Sequence, residues 1–130
     1  MRRPETTYSL SQLYSGAIEI VARDYGSALE IDGVAARLNT SRRQLQRAFT
    51  EIGGTTFSRH LTAVRMAHAA ELLGDPSVTI GAVAWRVGYR HQAHFTKSFR
   101  LHHGALPSVY RRRVALPRLA AQLRAARVAR

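Results

Sequence analysis

The sequence predicts an all-α protein, and three observations carry that expectation. No window shows sustained period-two alternation of apolar and polar residues, so strands are not indicated. Several segments instead repeat apolar residues at three- and four-residue spacing, between helix-cap and helix-stop signals. One such pattern then occurs a second time, about fifty residues further on.

The elements follow in order. Ser9 or Ser11 would cap a first helix whose inward face is Leu10, Leu13, Tyr14, Ala17, Ile18, Val21 and Tyr25, with Gly26 as its stop. A short helix from about Ile31 to Leu38 turns Ile31, Val34, Ala35 and Leu38 inward. Ser41 is a good N-cap for a third helix that buries Leu45, Ala48, Phe49 and Ile52 and ends at Gly53-Gly54. A long helix from roughly Thr56 to Leu73 offers Phe57, Leu61, Val64, Ala69 and Leu72, and Gly74-Asp75-Pro76 breaks it.

The second half echoes the first. VAARLN, Val34 to Asn39, returns as VAWRVG, Val83 to Gly88, an offset of 49. Leu45 and Phe49 return as Phe95 and Phe99, and Gly54 and Phe57 as Gly104 and Pro107, all at an offset of 50. The one-residue change falls between the two helices of each unit, where a turn absorbs an insertion. Each unit is thus a short helix, a tight turn and a second amphipathic helix, which is the helix-turn-helix pattern. A single match of that kind is weak; a duplicated one with register kept is far more specific. The expected organisation is an N-terminal segment with the first helix (1–28), a first helix-turn-helix (29–55), a linker helix (56–75), a second helix-turn-helix (76–113) and a basic tail (114–130).

Composition bounds the function. The 130 residues carry a net charge of +12, with 45% apolar residues and no cysteine, so disulfides and thiolate chemistry are excluded. No apolar h-region follows the first arginines, and no run approaches the roughly 18 apolar residues of a membrane span, so a cytoplasmic protein is expected. The charge is unevenly placed. Residues 1–75 hold nine basic and all eight acidic groups, whereas residues 76–130 hold eleven basic groups and no acid. A folded region that omits acids calls for a polyanionic partner, with double-stranded DNA first and anionic membrane a distant alternative.

The second helix of each unit carries the chemistry. In GYRHQAHFTKSFR, Gly88 to Arg100, Phe95 and Phe99 share one helical face and anchor the helix. Gln92, Thr96, Lys97 and Arg100 then occupy the remaining faces. Glutamine pairs bidentately with adenine, arginine or lysine reads guanine, and threonine can touch a thymine methyl. The first unit offers Arg43, Gln46 and Arg47 at matching places. The plain alternative is a solvated polar face, such as most amphipathic helices have. A linker of about 18 residues spans about 27 Å as a helix, close enough to the roughly 34 Å between successive major grooves for one chain to read two of them.

These residues resemble the DNA-binding region of AraC/XylS-type transcription regulators from about Leu29 to Arg112. Ser41, Leu45 and Phe49 match its first unit, and Arg65, Ala69, Leu72 and Leu73 its long helix. Ile80, Val83, Ala84, Gly88, Tyr89, Phe95, Phe99, Gly104, Pro107, Tyr110 and Arg111 match its second unit, the more specific signature. The resemblance implies about seven helices in two helix-turn-helix subdomains joined by a linker helix. It implies base reading by Arg43, Gln46 and Arg47, then by Gln92, Ala93, Thr96 and Lys97, and more often activation than repression. RNA polymerase is a further candidate partner, and a monomer spanning two grooves is the expected bound form. Three departures stand out: His91 where a small polar residue usually starts the second helix, His60 where an aromatic is usual, and Ala93, which offers no hydrogen bond. Family members often carry a separate sensor or dimerisation domain, and here about 28 residues precede the region, so the chain is either a stand-alone regulator or a fragment.

Other features point nowhere stronger. Six histidines, His60, His68, His91, His94, His102 and His103, invite a metal site, yet no acid or cysteine lies near His91, His94, His102 and His103 in the sequence. No metal, cofactor or catalytic constellation is expected, and the chain is not read as an enzyme. Trp85 is expected to pack at the rim of its unit, or to dock the tail. In the tail, Pro117 would open a new helix with Leu116, Leu119, Leu123 and Ala126 on one face. With Arg118, Arg124, Arg127 and Arg130, that helix is expected to rest loosely on the domain and hold phosphate, a frayed tail being the alternative. The rival function is a sequence-neutral nucleic-acid or nucleoid-binding protein, which the charge alone would fit.

Overall fold

The computed structural model describes residues 4–128, and their side chains from residue 9 onward except 116, 118 and 119. Seven α-helices occur among the described residues: α1 (Pro4–Asp24), α2 (Ile31–Arg37), α3 (Arg42–Ala48), α4 (Phe57–Leu73), α5 (Ile80–Arg86), α6 (Gln92–His103) and α7 (Pro107–Val128). Helix α3 runs directly into a π-helical turn, Phe49–Gly53. The chain forms two units that divide within α4, one up to Arg65 and one from Met66.

The N-terminal unit is built around α1, whose start differs from the expected one. Ser9 and Ser11 lie inside the helix, which is already formed at Pro4, the first described residue. A proline fits the first helical turn because its missing N–H has no intrahelical partner there. Its core gathers Ala17, Ile20, Val21, Val34, Ala35, Leu45, Phe49, Phe57 and Leu61, with Tyr14, Ile18, Leu38 and Val64 partly buried around it. A Cβ on Gly53 would sit 2.5 Å from the Tyr14 ring, too close without a shift of that ring, and one on Gly16 would sit 2.8 Å from Leu38 Cδ2, which the leucine tip could relieve by moving. Ile52, expected inward, is 37% exposed. The wider π turn after Ala48 shifts the helical phase, so the face that continues Leu45 and Ala48 passes through Phe49 and not Ile52.

The C-terminal unit repeats the plan with the second half of α4 as its support. Met66, Ala69 and Leu73 are buried, as are Val83, Ala84, Val87, Phe95, Phe99 and Ala105. Around Phe99 stand Phe95, Tyr110 and His103, with ring centroids at 5.8, 5.3 and 4.4 Å. Arg111 locks the start of α7 to the end of α4: its Nε donates to the Leu73 carbonyl at 3.0 Å, and its Nη2 donates to the carbonyls of Asp75, at 3.2 Å, and Val78. Arg65 does the same in the other unit, donating from Nε to Tyr25 O at 2.8 Å and from Nη2 to Ser27 O at 2.9 Å. Each guanidinium thus satisfies carbonyls at or beyond the end of a long helix, where the backbone lacks intrahelical donors.

The repeat is geometric as well as sequential. Val34 and Val83 are both fully buried, Ala35 and Ala84 equally so at 2%, and Leu45, Phe95, Phe49 and Phe99 all at 0%. The turn between the helices closes with the same bonds in both units: Thr40 N to Ala35 O at 3.0 Å, and Tyr89 N to Ala84 O at 2.9 Å. That turn needs a left-handed residue, supplied by Asn39 (φ 54°) in one unit and Gly88 (φ 98°) in the other. Asparagine and glycine are the two residues that enter that region at least cost.

Two expectations for the periphery are corrected. Trp85 is not at a packed rim but 70% exposed, because α5 turns Val83 and Ala84 inward and leaves the next position outside. The tail is not a separate helix opened by Pro117; α7 runs through that proline to Val128. Nor does it rest on the domain, since Pro117 and every side chain from Ala120 to Val128 are exposed, Leu123 at 67%. The side chains of Leu116, Arg118 and Leu119, and all of Arg130, lie outside the described residues.

His60 sits in the N-terminal unit with its Nε2 buried and unpaired and its ring 5.9 Å from Phe49. Burial pushes its pKa below the ordinary value of about 6.5. As pH falls, the unfolded chain therefore takes up the proton first. The stability contributed by the neutral ring is complete above about pH 6.5 and is lost as pH drops towards the lowered value. His60→Phe should flatten that acid-side loss and raise the melting temperature at pH 5.5 more than at pH 7.5, read by thermal unfolding. An equal shift at both pH values would contradict it.

Candidate nucleic-acid interface

Helix α3 is positioned by its cap and its inner face. Ser41 Oγ accepts the Gln44 N–H at 3.1 Å, and Leu45, Ala48 and Phe49 fix the helix to the core. Arg43 and Gln46 are then exposed, and Arg47 is half-buried. Arg47 is held along the helix by neighbours on either side: Nη1 donates to Gln44 Oε1 at 3.0 Å, and Nη2 lies 3.6 Å from Glu51 Oε1. Arg42, next to Arg43, faces elsewhere. Its Nε donates to Asp32 Oδ1 at 2.6 Å while Nη2 donates to Oδ2, a forked pair that ties the start of α3 to the start of α2. That Arg42 hydrogen bond holds the Asp32 carboxyl below the usual carboxylate range. Nothing in the local pattern around Arg42 signals this partner ten residues upstream.

Helix α6 starts differently. His91 precedes it without a side-chain cap bond, where Ser41 and, before α5, Thr79 each supply one. Phe95 and Phe99 are fully buried, which fixes the opposite face outward. Gln92, Ala93, Lys97 and Arg100 are exposed and Thr96 is half-buried. Together with Leu101, Gly104 and Leu106 they line one open groove of about 1010 Å³. Gly81 on α5 makes room for this surface, since a Cβ there would meet Gln92 Oε1 at 3.1 Å.

The residues singled out in the sequence therefore fall into two sets: Arg43, Gln46 and Arg47 on α3, and Gln92, Ala93, Thr96, Lys97 and Arg100 on α6. Sequence reasoning passed over Leu101 and Leu106 on the same groove. It also passed over the exposed Arg86 and Arg90, which flank the turn into α6. The signal for these arginines was available, because cations beside a helix N-terminus belong to the same cationic surface, but counting helix faces alone omits residues outside the helix. Among the described residues, no cluster of three or more His, Cys, Asp or Glu side chains could hold a metal ion. No described helix is long and apolar enough to cross a membrane.

Two helix-turn-helix units, each with its second helix turned outward, define a tandem helix-turn-helix protein. The chain belongs to the AraC-type helix-turn-helix family, a DNA-binding and not an enzyme family: a family model described as a helix-turn-helix domain matches residues 34–113. Among curated relatives, the lactose operon transcription activator of Staphylococcus xylosus is 30% identical over 95 residues, covering 73% of this chain and 34% of that protein. The chain spans 29% to 40% of the length of four curated relatives that it matches, this one among them. A transcriptional regulator of the AraC-type DNA-binding class from Chromobacterium violaceum superposes with a TM-score of 0.74 at 27% identity, covering 82% of this chain and 95% of that one. The DNA-binding domain of AdpA, a global transcriptional factor solved in complex with a target DNA, superposes with a TM-score of 0.71 at 27% identity, covering 84% and 95%.

Proposed function

We propose that this chain binds double-stranded DNA sequence-specifically and regulates transcription, with α3 and α6 entering the major groove in successive turns. The observation that carries this reading is the duplicated burial pattern, which leaves Arg43, Gln46 and Arg47 on one second helix and Gln92, Ala93, Thr96, Lys97 and Arg100 on the other. In helix-turn-helix proteins the second helix reads base edges from its N-terminal residues, and these side chains sit in the first three turns of their helices. The similarity to the DNA-binding domain of AdpA, solved in complex with a target DNA, supports DNA as the ligand here. Activation is the favoured sign of regulation, supported by the name of the Staphylococcus relative. The chain acts as a monomer on DNA, because its two units supply what single helix-turn-helix proteins obtain by dimerising. RNA polymerase is its natural protein partner, and the cytoplasm its compartment.

Charge alone would fit a sequence-neutral nucleoid protein equally well. Selection from a random duplex pool separates the two: a regulator prefers its selected site over unrelated duplex by roughly 10³-fold or more, whereas equal affinity for all duplexes contradicts the reading. Arg47→Ala and Gln92→Ala should each weaken the selected site by about 1–3 kcal/mol and relax preference at one base position. Titration of each variant against single-base-substituted duplexes checks this.

A further inference from the structure

We infer that α6 reads the C5 methyl groups of thymines, so that the C-terminal unit takes an A·T-rich stretch of major groove while α3 takes guanine. The inference rests on the proposed role of α6 as a groove-entering helix. Its outermost stripe is Ala93, Lys97 and Leu101, spaced four apart. Two of these three carry no hydrogen-bonding group. Leu101 is 79% exposed, and Phe95 and Phe99, both at 0%, pin the opposite face so that the helix cannot turn it inward. Leu106, 39% exposed, adjoins it on the same groove.

The polar members of that groove are Gln92, Thr96, Lys97 and Arg100, and no acid occurs in the chain after Asp75. The occupant must therefore be polyanionic and yet present apolar knobs at the scale of a leucine or alanine side chain. In the major groove the thymine methyl is the apolar feature of the base edges, and alanine and the threonine methyl are its usual contacts. Gln92 points to the same base pair, since glutamine pairs with the adenine opposite a thymine. Helix α3 contrasts with this. Its exposed or half-exposed side chains include Arg43 and Arg47, which favour guanine O6 and N7, and no aliphatic residue, while Gln46 suits a single adenine among them.

The test uses a duplex selected by the full chain, with each thymidine replaced in turn by deoxyuridine, which keeps pairing and removes only the methyl. At two or more positions within the segment whose preference relaxes in Gln92→Ala, affinity should fall about four-fold each, the equivalent of one buried methyl. Leu101→Ala, a change on an exposed surface, should abolish the deoxyuridine effect at one of these positions and spare the others. Silence throughout that segment, with sequence preference intact, overturns thymine reading and leaves the regulator standing. Loss of all sequence preference removes both. If Leu101→Ala instead abolishes self-association of the chain and leaves the deoxyuridine effects unchanged, Leu101 contacts a second copy and its assignment to a base fails.

Discussion

Phe99→Ala lowers the stability of the C-terminal unit by about 3–5 kcal/mol, the range for removing a buried phenyl ring. Phe99 is wholly buried and stands at the centre of an aromatic cluster with Phe95, His103 and Tyr110. Alanine leaves a cavity that the three surrounding rings cannot fill without abandoning their tilted and edge-on contacts. Against a total domain stability of about 5–15 kcal/mol, the loss unfolds the unit or leaves it marginal, and α6 loses the anchor that turns Gln92 and Lys97 outward. Thermal unfolding followed by circular dichroism measures it directly. Phe49→Ala should act alike in the N-terminal unit, where Phe49 meets Tyr14 and Phe57 edge-on at 5.3 and 5.7 Å. Lys97→Ala should leave the melting curve unchanged, because the side chain is exposed. A Phe99→Ala protein that melts with the parent would contradict the burial on which the whole interface depends.

Affinity for the selected site falls about 10³-fold or more between 50 and 200 mM salt if six or more phosphates are held, because each neutralised phosphate releases counterions. The chain has the cations for this. Arg86, Arg90, Lys97, Arg100, Arg112 and Arg113 are all exposed, and eleven basic groups follow Asp75 with no acid among them. Arg42 and Arg111 contribute least to the slope, since one is paired with Asp32 and the other holds backbone carbonyls. The slope of log affinity against log salt, taken from fluorescence-anisotropy titrations, counts the phosphates. A flat line would mean that the positive surface does not meet the DNA backbone.

Much of this was legible in the residues, and the exceptions have physical causes. Apolar spacing located α2, α4 and the start of α3 to within about a residue, because one buried face dictates a three-and-four rhythm, whereas α3 gives way to the π turn five residues before its expected end. The repeat was readable because both copies bury the same positions. Helix α1 begins earlier than expected, because Ser9 and Ser11 imitate caps, while Pro4 and Glu5, residues that suit an early helical turn, lie within it. Ile52 was misplaced because a π turn changes phase without a sequence signal. The tail was misread because Pro117 ordinarily ends a helix by removing a donor and crowding the preceding turn, yet α7 continues through it. The partners of Arg65 and Arg111 lie about forty residues away in sequence, out of reach of any local pattern. At the interface, composition and helical faces marked which residues point outward. The exposed Leu101 was passed over, because the faces of α6 were assigned from its polar residues alone.

In the proposed mode of binding, one chain carries two independent readers. Selection from a random duplex pool with Arg47→Ala and with Gln92→Ala, compared with the parent, tests that most directly. Two separate groups of base pairs should lose their preference, one in each variant, with the other group kept intact. If both variants relax the same positions, or neither changes the selected sequence, the duplicated helices do not divide the reading of DNA between them.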